Sequence, residues 1–360
     1  MLYFAHRIYG LFMSSTIAYT PIPTQWVGPI KISGNTVNES ISVPLATYES
    51  PLWPSCGRGA KISCLLEQGI MVNVLDARMT RSVIFDCQFA TQAQACAQEI
   101  SARQADLQEV VAQSSRYAKL LDIHHEIVGN LLFLRFAFST GDASGHNMAT
   151  KAADVLINYL LANYPTMRYG SISGNYCIDK KAGAVNGILG RGKRVVAEIL
   201  IPEKICRRYL RSDAETIVAL NTRKNHIGSN LAGSIRSANA HFANMLLAFY
   251  LATGQDAANI IEGSQGIVHC ENRDGDLYFS CTLPNLIVGT VGNGKGQGLE
   301  VVEQHLQQLG CREQRDSGDN ARRLAALCAA VVLCGELSLL AAQTNPGELM
   351  RAHLALERKA

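Results

Sequence analysis

Two adjacent lysines after an aspartate are the first residues in this sequence that could do chemistry. Asp179-Lys180-Lys181 follows the small and polar residues of 173–177. An ammonium group held beside a carboxylate and close to the carbonyl oxygen of a bound molecule would stabilise a developing oxyanion. Adjacent lysines are more often solvated surface residues. The pattern alone leaves both interpretations open.

Histidines offer a second kind of chemistry. His241 and Asn244 lie three positions apart, so a helix would place both on one face. His353 lies near the end of the chain, where its near-neutral titration would suit proton donation if the tail folds over a site. Otherwise a terminal histidine is an ordinary surface residue. No H-E-x-x-H helix is present, and the sequence therefore predicts no metal site.

Glycine-rich runs could bring backbone N–H groups close to a phosphate. The densest run spans residues 289–298, between an apolar segment and a predicted helix, where it could bind a nucleotide or be only a flexible loop. Gly187-x-x-x-x-Gly192-Lys193 matches most of a P-loop, but Arg194 stands where that motif has the magnesium-binding hydroxyl. We therefore reject an ATPase and expect a basic turn that leads into a strand over 195–201.

Composition limits the classes of protein that fit. The chain has 360 residues, 48% of them hydrophobic and 18% charged, which excludes a disordered chain and allows about two domains. A net charge of +3 gives no indication of nucleic-acid binding. The eleven cysteines include no C-x-x-C pair, so we expect reduced, buried thiols and a cytoplasmic protein.

No segment reads as a membrane span. The longest apolar stretch covers residues 324–342, but it contains Glu336 and Ser338, and a buried core helix is the better interpretation. The apolar residues at the start of the chain are interrupted by His6 and Arg7, which argues against a signal peptide.

Periodicity predicts a mixed α/β or α+β protein with two kinds of region. Residues 14–60 read as loop and short strand, and the part after 173 reads as mostly helical. Between them, strand and helix patterns alternate in the β-α-β-β-α-β order of a ferredoxin-like unit. The strand patterns of this unit cover 71–75, 83–87, 120–128, 131–139 and 167–173, and its helices cover 91–114 and 147–163. The later helices are predicted at 205–222, 238–253, 298–309 and 321–343, around two strand-like runs at 266–271 and 277–282.

Several motifs occur in an order that resembles one family. They lie at residues 44–49, 76–81, 141–148, 173–181, 239–244, 254–258, 289–294 and 335–339, and His353 completes the set. Among them Gly141-Asp-Ala-Ser-Gly-His-Asn-Met148 is similar to an Asp-Ala-Met-Gly-Met-Asn cofactor motif, and 173–181 is similar to a substrate loop with Asp-Lys-Lys. This set resembles the 3-hydroxy-3-methylglutaryl-coenzyme A (HMG-CoA) reductases over about residues 19–358.

The resemblance implies a reaction and four catalytic residues. A thioester would be reduced to an alcohol by two hydride transfers, which yields mevalonate and free coenzyme A for isoprenoid biosynthesis. Lys180 would stabilise the oxyanion, Glu49 would donate a proton to the aldehyde intermediate, and Asp256 would tune the proton affinity of both. His353 would protonate the departing thiolate. A buried cluster of lysine and carboxylates can hold one carboxyl group protonated near neutral pH.

The resemblance also implies binding residues. NADPH is favoured over NADH because Arg116 could meet a 2′-phosphate. The substrate would be bound by Arg81, Ser173, Asn175, Lys181, Lys224, His241 and Asn244. The cofactor would be bound by Ser115, Arg116, Asp142, Gly145, Asn147, Met148, Gly289, Thr290, Val291, Gly292 and Gly294.

Two alternatives remain beside the NADPH-dependent biosynthetic reductase. The same fold could oxidise mevalonate with NAD in a degradative pathway, and Arg116 is the residue that separates these hypotheses. The chain could also be a non-catalytic coenzyme A-binding homologue, because Ser14-Ser-Thr-Ile-Ala18 departs from the family pattern.

The expected architecture is a mostly helical large domain with an inserted ferredoxin-like cofactor-binding domain. We assign residues 1–24 to an N-terminal segment, 25–81 plus 172–360 to the large coenzyme A and substrate domain, and 82–171 to the insertion. The resemblance further implies a homodimer or a dimer of dimers, with the active site between subunits. No metal, nucleic acid or membrane is expected as a partner.

Overall fold

The computed structural model describes residues 19–292 and 298–357, and the side chains of 352, 353 and 355–357 are not described. The strands are β1 (Thr24–Gly34), β2 (Glu39–Ala46), β3 (Ile70–Asp86), β4 (Lys119–Val128), β5 (Leu131–Ser139), β6 (Arg168–Ser171), β7 (Gly192–Ile201), β8 (Ile267–Arg273) and β9 (Asp276–Leu286). The α-helices are α1 (Leu52–Cys64), α2 (Ala90–Ala102), α3 (Gln104–Ser114), α4 (His146–Asn163), α5 (Val185–Leu189), α6 (Glu203–Ile205), α7 (Ala214–Leu220), α8 (Ser229–Leu231), α9 (Phe242–Ala252), α10 (Ile260–Gly263), α11 (Glu300–Gln308), α12 (Asp319–Gln343) and α13 (Glu348–Glu357).

One mixed sheet runs through the molecule in the order β2-β1-β3-β7-β9-β8. Strand β1 is parallel to β3, and the other neighbouring strands on this path are antiparallel. The mixed α+β class is confirmed, and the region expected to be mostly helical also contains a substantial sheet. Its core is formed by apolar residues of these strands together with α1, α9 and α12.

Strand β3 is 17 residues long and takes part in both halves of the molecule. Its first half pairs with β7, and its second half, from Met79 onward, pairs with β5 and β6. The two strands expected at 71–75 and 83–87 are therefore one. The segment from β3 to β6 follows the expected β-α-β-β-α-β order, with two helices in place of the first, and has its own hydrophobic core. The domain boundaries at residues 82 and 171 stay a prediction.

Helix α12 is the centre of the larger core. Of its 25 residues, 20 are buried, among them the polar residues Glu336 and Ser338. Among the described residues it is the helix long and apolar enough to cross a membrane, but 94% of its apolar window is buried inside the protein. It is a core helix, as expected. Helix α1 packs closely on it: a Cβ atom on Gly59 would lie 2.4 Å from the Cα atom of Cys334.

The expectation of loop and short strand over 14–60 is partly right for its described part: strands are present as β1 and β2, but the segment also forms helix α1. Its prolines occupy positions that regular structure tolerates. Pro29 lies at the register shift within β1, Pro44 lies in the outermost strand of the sheet path, and Pro54 lies in the first turn of α1.

Some predicted helices are shorter or interrupted. The single helix expected over 91–114 breaks at Arg103 into α2 and α3. The one expected over 205–222 breaks at Arg211, whose φ is 55°, and Asp213 then caps α7 by accepting a hydrogen bond from the Thr216 N–H group. Helix α13 lies in a segment for which the sequence pattern predicts no helix. The predicted basic turn near Arg191 does lead into a strand, β7.

Candidate active site

Lys180 and Asp256 form an ion pair with Nζ 2.5 Å from Oδ2. Both side chains are partly exposed, at 39% and 46%, so the pair faces solvent or a ligand. The hydrogen bond to Asp256 raises the pKa of Lys180 despite some burial. Burial opposes ionisation of Asp256, but the contact with Lys180 outweighs it and lowers the pKa of the carboxyl group. The pair is therefore ionised near neutral pH, and Asp256 is not the protonated carboxyl of the predicted cluster.

A buried arginine anchors the loop that carries Lys180. Asp179 Oδ1 accepts a hydrogen bond of 2.9 Å from Arg191 Nη2, and the Arg191 side chain is only 2% exposed. Arg191 also donates to the Thr80 carbonyl oxygen at 2.7 Å, and its Nε lies 3.6 Å from the fully buried Glu262. These contacts hold Lys180 in a left-handed conformation with a φ of 55°. The position of this lysine therefore depends on a buried charge of the core.

The Lys180–Asp256 pair lines a cleft of about 730 Å³. Residues 143–148, which enter the first turn of α4, and Gly292 line it as well. Gly145 precedes α4 with a φ of 98°, and no side chain of the described residues caps the helix start. Unpaired N–H groups at the start of a long helix attract phosphate groups. A dinucleotide fits this donor arrangement.

The two predicted cofactor segments lie against each other. A Cβ atom on Gly289 would lie 2.2 Å from the backbone nitrogen of Ser144, so only glycine permits this approach. The Thr290 N–H group donates to the Asp142 carbonyl oxygen at 2.8 Å, and Val291 forms a β-bridge with Ala143. The loop before α4 and the loop after β9 therefore form one wall.

Asp142 has a structural role that the sequence did not reveal. Its carboxylate accepts hydrogen bonds from the N–H groups of Gly318 at 3.1 Å and Ala321 at 2.9 Å, at the start of α12. A carboxylate at this end of a helix satisfies unpaired donors and the helix dipole. Asp142 thus fixes the cofactor segment to the core helix.

Ser115 and Arg116 lie at the end of α3, in the smaller half of the molecule. The Ser115 hydroxyl accepts a hydrogen bond from the Ala118 N–H group at 3.1 Å. The exposed guanidinium of Arg116 lies 5.6 Å from the centre of the Tyr117 ring. Neither residue lines the cleft of Lys180, so their contact with a cofactor stays a prediction.

A second cavity, of about 400 Å³, contains Glu49, His241 and Asn244. Asn244 Nδ2 donates to Glu49 Oε2 at 2.9 Å. The first turn of α13 also lines the cavity, and Glu348 there forms an ion pair of 2.8 Å with Arg58 of α1. The C-terminal helix therefore forms part of the wall beside Glu49. His353 belongs to this helix, but its side chain lies outside the described residues.

Of the remaining predicted substrate residues, one lines the larger cleft and the others line neither space. Arg81 lines the larger cleft, and its Nε donates to the Ile172 carbonyl oxygen at 3.0 Å. Ser173, Asn175 and Lys181 are exposed on the loop before and after Lys180 and line neither space. Burial lowers the pKa of Lys224 even though the nearby Glu336 carboxylate opposes this.

The structure brings together some of the predicted residues and separates others. Lys180, Asp256, Arg81 and the predicted residues 145, 147, 148 and 292 line the larger cleft, while Glu49, His241 and Asn244 line the second cavity. Gly294 lies outside the described residues.

Sequence reasoning assigned no role at the site to three buried or half-buried charges: Arg58, Arg191 and Glu336. Arg58 lies after Glu49 in a segment that was expected to be loop. No predicted helix therefore indicated the position of its side chain. Arg191 stood in the basic turn, and only its burial distinguishes it from a solvated arginine. Glu336 was visible as a lone acid in an apolar run. In the described part of the chain, no group of three or more His, Cys, Asp or Glu side chains could hold a metal ion.

Comparison with known proteins gives a consistent result. A family model described as hydroxymethylglutaryl-coenzyme A reductase matches residues 4–358. The chain is 42% identical to the 3-hydroxy-3-methylglutaryl-coenzyme A reductase of Pyrococcus abyssi, over 98% of this chain and 86% of the relative. It is 41% identical to the enzyme of that name from Aeropyrum pernix, over 98% and 83% of the two chains.

The fold is shared with solved structures. The class II 3-hydroxy-3-methylglutaryl-CoA reductase from Streptococcus pneumoniae, determined with bound NADPH, has a TM-score of 0.72 to this chain at 19% identity. The match covers 94% of this chain and 89% of that one. From the family model, the extent of the identity and the shared fold, the chain belongs to the hydroxymethylglutaryl-coenzyme A reductase family.

Proposed function

We propose that this oxidoreductase reduces HMG-CoA to mevalonate and free coenzyme A, with NADPH as the reductant, in the biosynthetic direction. The observation that carries this proposal is the Lys180–Asp256 ion pair in a cleft that also contains the uncapped start of α4. NADPH supplies the two hydrides, one for each reduction. All other steps belong to side chains of this chain.

Lys180 stabilises negative charge on the thioester oxygen. Its ammonium group is kept protonated by Asp256 and is held in place by the Asp179–Arg191 contact. A fixed, partly desolvated cation at the carbonyl oxygen lowers the barrier to hydride addition, because the charge that forms there meets a partner already in position. The same contact stabilises the oxyanion of the hemithioacetal that follows.

The reaction requires a proton at two different atoms, the aldehyde oxygen and the coenzyme A sulfur. Glu49, oriented by the amide of Asn244, gives a proton to the oxygen of the aldehyde intermediate. Asp256 adjusts proton affinity in this centre through its contact with Lys180. His353 protonates the coenzyme A sulfur, which prevents the thiolate from adding back to the aldehyde. The position of Leu349 in the wall of the Glu49 cavity supports a role for α13 at this site.

Substrate recognition is assigned to the residues that the family resemblance implies, of which Arg81, His241 and Asn244 line the two spaces. Arg81, Lys181 and Lys224 suit the free carboxylate of the substrate, and Ser173, Asn175, His241 and Asn244 provide hydrogen bonds. For the cofactor, binding is assigned to Asp142, Gly145, Asn147, Met148, residues 289–292 and Gly294. Ser115 with Arg116 meets the 2′-phosphate, which favours NADPH over NADH.

Assembly and location complete the proposal. We assign the enzyme to the cytoplasm as a homodimer, or a dimer of dimers, with its active site between subunits. Exposed apolar side chains support an interface: Leu231 is 83% exposed, and Ile188, Ile227 and Ile235 are also exposed.

A coupled assay tests the proposed activity. Purified protein is mixed with HMG-CoA and equal concentrations of NADPH or NADH, and mevalonate is identified by mass spectrometry. We expect mevalonate, with NADPH consumed much faster than NADH. Faster oxidation of mevalonate with NAD would replace the proposal with the degradative reaction. A folded protein that binds coenzyme A but turns over no substrate would replace it with a non-catalytic homologue.

A further inference from the structure

Glu336 is a fully buried carboxylate in the middle of the apolar core helix α12, with an exposed fraction of 0%. Burying an ionisable group without partners is costly, so such a residue must be satisfied by hydrogen bonds. Burial raises the pKa of Glu336 to about 7, even though two backbone N–H groups and Lys224 stabilise its ionised form. The reaction as described above makes no use of this group.

Its partners are the backbone N–H groups that precede α9. Glu336 Oε1 accepts from Ala240, and Oε2 accepts from His241 at 3.0 Å. The neighbouring residue on α12, Gly335, contributes its carbonyl oxygen, which lies 3.0 Å from Nε2 of the His241 ring. One turn of the core helix therefore holds His241 by both its backbone and its side chain.

This contact determines which nitrogen of His241 carries the proton. A carbonyl oxygen can only accept a hydrogen bond, so Nε2 must be the protonated nitrogen. Burial lowers the pKa of His241 to about 4, and nearby Lys224 acts in the same direction, while the Gly335 contact opposes it. At neutral pH the ring is uncharged, and Nδ1 is its hydrogen-bond acceptor.

The neighbours of His241 include the kinds of group that the substrate requires. Lys224 is a cation close enough to influence the titration of His241. Asn244, in the first turn of α9, donates a hydrogen bond to Glu49, and His241, Asn244 and Glu49 line the same cavity. The substrate carries a carboxylate, then a tertiary hydroxyl, then the thioester. In this cavity His241 offers a hydrogen-bond acceptor and Glu49 a proton donor, and the cation Lys224 lies near His241.

We propose that Gly335 and Glu336 are positioning residues that present His241 as a neutral acceptor for the tertiary hydroxyl of the substrate, and that this hydrogen bond selects 3-hydroxyacyl thioesters. The proposal rests on the proposed function, since it concerns the same substrate. A site built to bond a hydroxyl rejects an analogue that lacks it, because the buried acceptor is then left unpaired.

The test compares two substrates: HMG-CoA and 3-methylglutaryl-CoA, which differs only in lacking the hydroxyl group. The measured quantity is the ratio of their kcat/KM values with NADPH. We expect the wild type to favour HMG-CoA by about 10²-fold or more, and His241→Phe, which keeps a ring but has no acceptor, to reduce this ratio at least about tenfold. Glu336→Gln should also reduce this ratio. An amide has only one oxygen, so its NH₂ group would face the N–H group of either Ala240 or His241, and that hydrogen bond would be lost.

Asn239→Ala is the matched control. The Asn239 side chain accepts from the Phe242 N–H group at 3.1 Å and donates to the carbonyl oxygens of Ser264 and Gly266, so it supports the same helix start without contacting the His241 ring. This variant should lower thermal stability and keep the substrate ratio. Each variant is first checked for folding by thermal unfolding, and His241→Phe suffices if Glu336→Gln does not fold.

The outcomes separate this inference from the proposed function. A wild type that reduces neither thioester contradicts the proposed function. A wild type that reduces HMG-CoA while His241→Phe keeps the full substrate ratio contradicts the hydroxyl contact alone. If Glu336→Gln and Asn239→Ala lower the ratio equally, Glu336 only stabilises the fold and its positioning role is wrong.

Discussion

The ammonium nitrogen of Lys180 lies 2.5 Å from a carboxylate oxygen of Asp256, although the two residues come from distant segments of the chain. Lys180 sits in a loop anchored by the buried Arg191, and Asp256 directly precedes a short 3₁₀ turn, where its carboxylate also accepts from the Ala258 N–H group at 3.1 Å. Each of the two residues is therefore held in place by contacts other than the ion pair itself. This preorganisation is what electrostatic catalysis requires.

Replacing Lys180 by methionine should abolish thioester reduction. The substitution keeps much of the side-chain volume and removes the cation, so kcat should fall by at least about 10²-fold. NADPH affinity, measured by fluorescence titration, should change little. Lys204→Met removes an exposed lysine of α6 and serves as the control with unchanged kinetics. More than a tenth of the wild-type kcat in Lys180→Met would show that another group stabilises the oxyanion.

Asp256→Asn should shift the pH dependence of the reaction. Because the carboxylate raises the pKa of Lys180, its removal lowers that pKa, and the lysine loses its proton at a lower pH. The alkaline limb of the kcat profile should therefore move to lower pH, in addition to any overall loss of rate. Asp154→Asn, on the exposed face of α4, is the control. An alkaline limb that stays in place would mean that Lys180 does not control it.

Gly289→Ala should weaken cofactor binding. The added methyl group would clash with the backbone between Ala143 and Ser144. Because backbone atoms cannot move aside as a flexible side chain can, the two predicted cofactor loops would have to separate. We expect the Kd for NADPH to rise by at least about tenfold, since the phosphate donors would no longer be aligned. Gly57→Ala in α1 places its methyl group in open space and should leave the Kd unchanged. Equal affinities for both variants would contradict the placement of the cofactor between these loops.

Arg116→Glu should reverse the cofactor preference. A guanidinium group binds the 2′-phosphate of NADPH, and a carboxylate repels it while tolerating the 2′-hydroxyl of NADH. The ratio of kcat/KM for NADPH over NADH should fall below one. The charge reversal Lys204→Glu, remote in sequence from the smaller half of the molecule, should keep the wild-type ratio. A variant of Arg116 that still prefers NADPH would assign phosphate recognition to other residues.

Strong local patterns were sufficient to predict much of the fold. The strand-like runs that became β4 and β5 and the apolar run that became α12 were identified closely. Predicted helix boundaries were wrong where contacts with distant segments determine the backbone conformation. Helix α9 begins only at Phe242, because Ala240 and His241 are held by Glu336, a residue far away in the sequence. Strand β3 was divided in two because no local signal shows that one strand serves both halves of the sheet.

For the site, the residue types and motif order led to Lys180, Asp256, Glu49 and His241, but not to their supports. Arg191 and Asp142 work through contacts to segments distant in sequence, with Asp179 and with the start of α12. A sequence shows that such a residue is charged. It does not show whether the residue is buried or which groups it forms hydrogen bonds with. The sequence left open which carboxyl group of the predicted cluster could be protonated, and the close ion pair with Lys180 lowers the pKa of Asp256.

The most direct test of the account counts cofactor and thiol in one reaction. HMG-CoA is supplied in limiting amount with excess NADPH, loss of NADPH absorbance is followed to completion, and the released coenzyme A thiol is titrated in the same sample. Two sequential reductions of one thioester predict two NADPH oxidised for every thiol released. One NADPH per thiol would show that the enzyme stops at the aldehyde, and thiol released without NADPH consumption would show hydrolysis; either result would contradict a four-electron reductase.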